Sequence, residues 1–165
     1  MTRKTLEDLF VHSLSDIYSA EKQLAKALGK LARTAQNEAL SEAFQSHLEE
    51  TQGQIERIDQ IVETCAIKLK RMKCAAMEGL IEEANELIEE IPKGPVLDAG
   101  LIGAAQKVEH YEIASYGTLA ALAKEIGFHE AVPLIVSTLD EEKATDAKLT
   151  RLAEQSANRE ASAAS

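Results

Sequence analysis

The side chains best suited to chemistry in this sequence are acids set into apolar stripes. The row Leu14, Ile17, Leu24, Leu28 is broken by Glu21, one turn from both Ile17 and Leu24. The row Ala105, Val108, Ser115, Leu119 is broken by Glu112, with Glu109 on the adjoining row Ile102, Ala105. The row Ile135, Leu139, Leu149 is broken by Glu142 and Asp146. Residues three and four apart share a helix face, so each of these acids is predicted to face inward. A charge there is costly unless it is paired or bound to metal. A further stretch offers Glu50 at the edge of the row Leu40, Ala43, His47, Gln54, Ile58, whereas its neighbour Glu49 is predicted to face solvent. Glu21 and Glu50 are separated by nearly the same length of chain as Glu112 and Glu142, so antiparallel pairs would set the acids at matching levels. Hard oxygen donors gathered in this way suit two ions of Fe or Mn, or lighter divalent ions.

Other readings of the same residues remain open. Without metal, six carboxylates cannot all ionise in a core; some would stay protonated or pair with lysines such as Lys107 or Lys143. An imperfect register would instead leave them as surface acids. His47 shares the row of Glu50 and is equally a nitrogen ligand, a partner of a ligand, or a satisfied edge histidine. Tyr116 and Tyr18 lie one turn from Glu112 and Glu21 and are placed to hydrogen-bond a carboxylate. His12, His110 and His129 are given no role by the pattern. No nucleophile elbow, Gly-rich phosphate loop or zinc spacing is present.

The elements that must position these acids are helices. Aromatic residues make up 4% of the 165, Trp is absent, and Ala, Leu, Glu, Lys and Gln dominate, the residues that lose least on entering a helix. Apolar positions at helical period predict one long helix over 4–34 and a second, capped by Asn37, to about residue 64. A connection follows over 65–74, then a shorter amphipathic helix over about 75–91 on the outside of the bundle. Pro92-Lys93-Gly94-Pro95 breaks the chain; a third long helix follows, closed by Gly127, and a fourth starts near Pro133. The predicted domain is 1–155, with residues 156–165 as a frayed or flexible tail. A single long crossover between the second and third long helices predicts a ferritin-like four-helix bundle, with a plain up-and-down bundle as the alternative.

The totals exclude several function classes. The net charge of −10, from 28 acids and 18 bases, repels phosphate backbones and anionic membranes, so neither nucleic acid nor membrane is expected as a partner. The basic run Lys68, Lys70, Arg71, Lys73 reads as a solvated loop or a local anion site. No stretch approaches the ~20 apolar residues of a membrane span. The N-terminal sequence leads straight into an amphipathic helix without a signal-peptide pattern, so a cytoplasmic location is expected, with Cys65 and Cys74 as reduced thiols.

The segments Leu14–Leu24, His47-Leu48-Glu49-Glu50-Thr51, Glu109-His110-Tyr111-Glu112-Ile113-Ala114 and Glu141-Glu142-Lys143-Ala144-Thr145-Asp146 resemble the YciE/YciF family of bacterial stress-induced proteins over about residues 4–155. The resemblance implies a ferritin-like, usually dimeric fold related to rubrerythrins and similar di-iron proteins. Glu21 then matches the lone Glu of the first helix, and Glu109 with Glu112 the Glu-x-x-Glu of the third. Such sites place His three residues after Glu in the other two helices; here those positions are Gly53 and Thr145. Gln54 and Asp146, four residues on, share the same faces and stand in their place. The expected ligand set is Glu21, Glu50, Gln54, Glu109, Glu112, Glu142 and Asp146, holding two Fe ions per chain, or Mn. The expected activity is Fe(II) oxidation or peroxide-directed redox chemistry, with O2 or peroxide as the small partner. The alternative is a non-catalytic dimeric stress protein whose acids are vestigial.

Overall fold

The first three helices begin where a side chain accepts from an amide that the first turn leaves unpaired, and the fourth begins at a proline, which has no such amide. The computed structural model describes residues 4–164. Helix α1 (Leu6–Thr34) starts at a capping box in which Thr5 accepts from the Asp8 amide and the Asp8 carboxylate accepts from the Thr5 amide. Helix α2 (Glu38–Thr64) is capped by Asn37, and α3 (Ala75–Glu90) by the Cys74 thiol. Helix α4 (Pro95–Glu125) has Pro95 in its first turn, where the missing N–H costs nothing. Gly127, with φ +83°, turns the chain toward α5 (Ala131–Leu152).

The four long helices pack in a closed circuit, α1 on α2, α2 on α5, α5 on α4 and α4 on α1, while α3 lies over α1 and α4. Side-chain contacts give the directions. Ser41 reaches the Ala32 carbonyl and Tyr18 reaches Asp59, so α1 and α2 run antiparallel. Glu50 meets Thr145 and Arg57 meets Thr138, so α2 and α5 do too. At the ends of the α1–α4 pair, Phe10 packs edge-on against Phe128, ring centroids 5.5 Å apart, and the Gln36 amide reaches Asp98. Among the described residues there is no strand, and no helix is long and apolar enough to cross a membrane.

The crossover is fastened at Cys74. Its amide donates to Ser19 Oγ, and its thiol lies 3.1 Å from the Tyr111 hydroxyl and 3.3 Å from Asp16, joining α1, α3 and α4. Both cysteines are unpaired thiols. Asp98, fully buried, accepts from the amides of Gln36 and Asn37 at 2.8 Å each, and so ties the α1–α2 turn to the start of α4.

The chain does not leave the helical path at Ser156, where a frayed tail was expected. Residues Ala153–Ala157 form a π-helical turn and α6 (Asn158–Ala163) continues against α4. The Ser156 hydroxyl donates to the Leu152 carbonyl and Ala157 is buried. The small residues that looked like a tail let this last stretch lie close to α4.

Candidate metal centre

Glu21 from α1, His47 and Gln54 from α2, Glu109 and Glu112 from α4, and Glu142 from α5 are all buried at mid-bundle. One donor atom each from His47, Glu109, Glu112 and Glu142 lies within 4.8 Å of the other three. His47 Nδ1 is 3.2 Å from Glu109 Oε1, and its Nε2 is 3.8 Å from Glu142 Oε2. Glu21 completes the group from the α1 side, its Oε1 accepting a hydrogen bond from the Tyr116 hydroxyl. Gln54 donates to Glu141, which also holds Arg57 through a forked ion pair, so the amide is fixed from outside.

Two predicted ligands lie outside the group. Glu50 is exposed, its Oε2 accepting from Thr145 Oγ1 at 3.1 Å; Glu49 is exposed as expected. The inward row of α2 runs Leu40, Phe44, His47, Thr51, Gln54, Ile58 and Ile61, all buried, and Glu50 stands one position, about 100°, away from Thr51. The row Leu40, Ala43, His47, Gln54, Ile58 places Glu50 at its edge, but the buried position between His47 and Gln54 is Thr51. Asp146 is half-buried at the α4–α5 surface, accepting from Gln106 and lying 3.4 Å from the exposed His110. Glu142 and Asp146 share one predicted stripe, but α5 packs mainly against α4 and α2, and of the two acids only Glu142 is buried. His47, to which the sequence leaves several roles open, is buried on the inward row, and its place between Leu40 and Ile58 is the signal for it. Tyr18 binds Asp59 rather than a cluster acid, and Lys107 pairs with Glu83 at the surface.

The electrostatics follow from burying four carboxyls together. Burial first, then the neighbouring Glu142, raises Glu21 to about 8. Burial and Glu142 raise Glu109 to about 11; burial and the charge of Glu21 push Glu112 well above the carboxylate range. Burial lifts Glu142 to about 7. The same desolvation lowers His47 to about 4, which keeps the imidazole neutral at pH 7 with a lone pair to offer. Tyr116 is raised by burial and by Glu21, so its hydroxyl keeps its proton and donates.

Residues 5–162 match the model of a family described as a domain of unknown function, DUF892. The chain is 65% identical to protein YciF of Escherichia coli K12 over 162 residues, 98% of each protein. It belongs to this family. The crystal structure of the E. coli stress protein YciF superposes with a TM-score of 0.92 at 66% identity, over 94% of this chain and 99% of that one. YcfI of Rhodopseudomonas palustris, a protein provisionally described as structural, gives 0.85 at 49% identity over 89% and 94%. A protein of Xanthomonas campestris pv. campestris shares the fold at 23% identity, with a TM-score of 0.74 over 92% and 93%.

Proposed function

We propose that this DUF892 chain is a stress protein that holds two divalent metal ions, iron or alternatively manganese, at the centre of a ferritin-like bundle and uses them on O2 or peroxide. One observation supports the metal most directly. Among the described residues, every buried side-chain nitrogen or oxygen without a hydrogen-bond partner belongs to Glu21, His47, Gln54, Glu109, Glu112 or Glu142. Each such atom costs about 1–3 kcal/mol, and a fold does not gather them at one point without something for them to bind. Four buried carboxylates and one neutral imidazole also match two divalent cations in charge. The antiparallel pairs and the long link between α2 and α4 support the ferritin-like arrangement.

The donor set fits iron or manganese: it is rich in hard oxygen, with His47 as its one buried imidazole. Such ions supply electron transfer to O2 or peroxide when bound. The chain's own residues orient and enclose the site. Tyr116 fixes Glu21, and Glu141 with Arg57 fixes Gln54. Ile17, Leu24, Ile58 and Leu119 are buried on the same helices as the cluster. The scarcity of nitrogen donors distinguishes it from sites with two Glu-x-x-His pairs and favours the oxidised ion. The description of the R. palustris relative favours a second reading, a structural protein whose centre does not turn over.

The two readings separate in a stopped-flow experiment. Protein loaded anaerobically with Fe(II) should oxidise it on mixing with hydrogen peroxide or O2 at least tenfold faster than the same iron in buffer. Oxidation at the buffer rate by folded, iron-loaded protein would select the structural reading.

A further inference from the structure

A cavity of about 290 Å³ lies between α1, α3 and α4 and runs from the surface to the buried cluster. Its walls are apolar: Leu24, Leu28 and Leu31 of α1, Leu80 and Ile81 of α3, Val108 of α4. Its inner end is formed by His47 and Glu109, two members of the proposed metal centre. Its outer end is polar, with Lys26 and Lys30 exposed one turn apart on α1, and Lys30 steadied by a 2.6 Å hydrogen bond to Asn85. No acid other than Glu109 lines it, although the chain as a whole has a net charge of −10.

We propose that this cavity binds a small amphiphile, an alkyl chain with one anionic head, with the head at Lys26 and Lys30 and the chain directed at the metal centre. The polarity fixes the orientation. An anionic head at the inner end would lose its water between the buried His47 and Glu109 without gaining a cation, whereas at the outer end it stays hydrated and meets two cations. The stretch Leu24–Leu31 rises about 10 Å along α1, room for an unbranched chain. The volume is about twice that of an engineered apolar cavity that accepts benzene. Apolar walls with a few placed polar groups are the usual form of a small-molecule site. The inference deepens the proposed function by naming an organic ligand class for the same centre, and rests on that reading only for what the chain end faces.

Calorimetric titration of the metal-free full chain with octanoate tests the cavity without involving metal. The expected result is saturable binding of one octanoate per chain. Octyltrimethylammonium, with the same tail and the opposite head, should bind at least tenfold more weakly. Ala104→Trp and Ala84→Trp, which fill the cavity from α4 and α3, should each abolish binding. The surface double variant Lys26→Glu with Lys30→Glu should weaken it tenfold or more, and keeps the test decisive if a Trp variant does not fold. No saturation by millimolar octanoate, equal affinity for the two head groups, or unchanged binding in the lysine variant would overturn the proposal. Metal retention, measured separately on the same preparation, tells a failed cavity from a failed metal centre.

Discussion

At the scale of single residues, α2 offers the centre His47 and not Glu50. His47 is buried with Nε2 unpartnered, and Glu50 is exposed against Thr145. His47→Ala should therefore weaken metal binding by on the order of 10–100-fold, at least the loss seen when the outer partners of metal ligands are removed. Glu50→Ala should retain metal nearly as well as the parent; competition with a chelator of known affinity measures both. The reverse order would place Glu50 in the site. Glu112 offers a second test, because both its oxygens are buried without partners. In the metal-free chain, Glu112→Leu should stabilise the fold by roughly 1–3 kcal/mol, the cost of a buried polar group left without a partner. Urea unfolding at pH 7 reads this, and a loss of stability would mean that the carboxyl has a partner. Glu21, Glu109, Glu112 and Glu142 were legible in the sequence because each interrupts a long apolar row. Glu50 and Asp146 lie outside the buried group because their rows are polar at the decisive positions, where a shift of one residue turns the face by about 100°.

At the scale of elements, helix starts were legible where the cap is a familiar side chain, as at Asn37, or where Pro and Gly break the chain, as at 92–95. The fastenings between elements were not, since they join residues remote in sequence. Asp98 reads locally as an ordinary first-turn acid of α4, yet it holds two amides of the α1–α2 turn. Asp98→Ala should remove the acceptor of both amides at a part-buried turn, where water replaces it only in part, and cost roughly 1–3 kcal/mol. Thermal unfolding should show that loss with the helical circular dichroism of the folded state unchanged; a change below about 0.5 kcal/mol, typical of neutral surface substitutions, would contradict it. The Cys74 node is similar: its contacts with Asp16, Ser19 and Tyr111 follow from the path of the crossover, which no local pattern encodes. The continuation through α6 was hidden because Ala- and Ser-rich composition suits both a tail and a close-packed last helix.

At the scale of the whole molecule, the buried acids couple folding to pH and to metal. Folded-state values are raised from 4.5 to about 7 for Glu142, about 8 for Glu21 and about 11 for Glu109, and Glu112 moves the same way. A carboxyl raised in the folded state contributes stability that is complete below its unfolded value and lost as pH rises through its folded value. His47, lowered from 6.5 to about 4, opposes this below 6.5, because the unfolded imidazole takes up a proton that the folded one does not. Four carboxyls outweigh one imidazole, so the metal-free chain should become more stable as pH falls from about 8 toward 4.5, with Tm rising by more than about 5 °C. Calorimetry across that range checks the sign, and a Tm that falls steadily would contradict it. Metal binds the deprotonated set in the folded state only, so its stabilising effect should be largest at the alkaline end and shrink toward pH 5. The most direct test of the central claim is metal content per chain. Protein loaded anaerobically with Fe(II), or with Mn(II), and then desalted should retain close to two ions per chain, and Glu109→Ala combined with Glu112→Ala should retain almost none. Folded parent protein that keeps less than half an ion per chain of either metal would contradict the account.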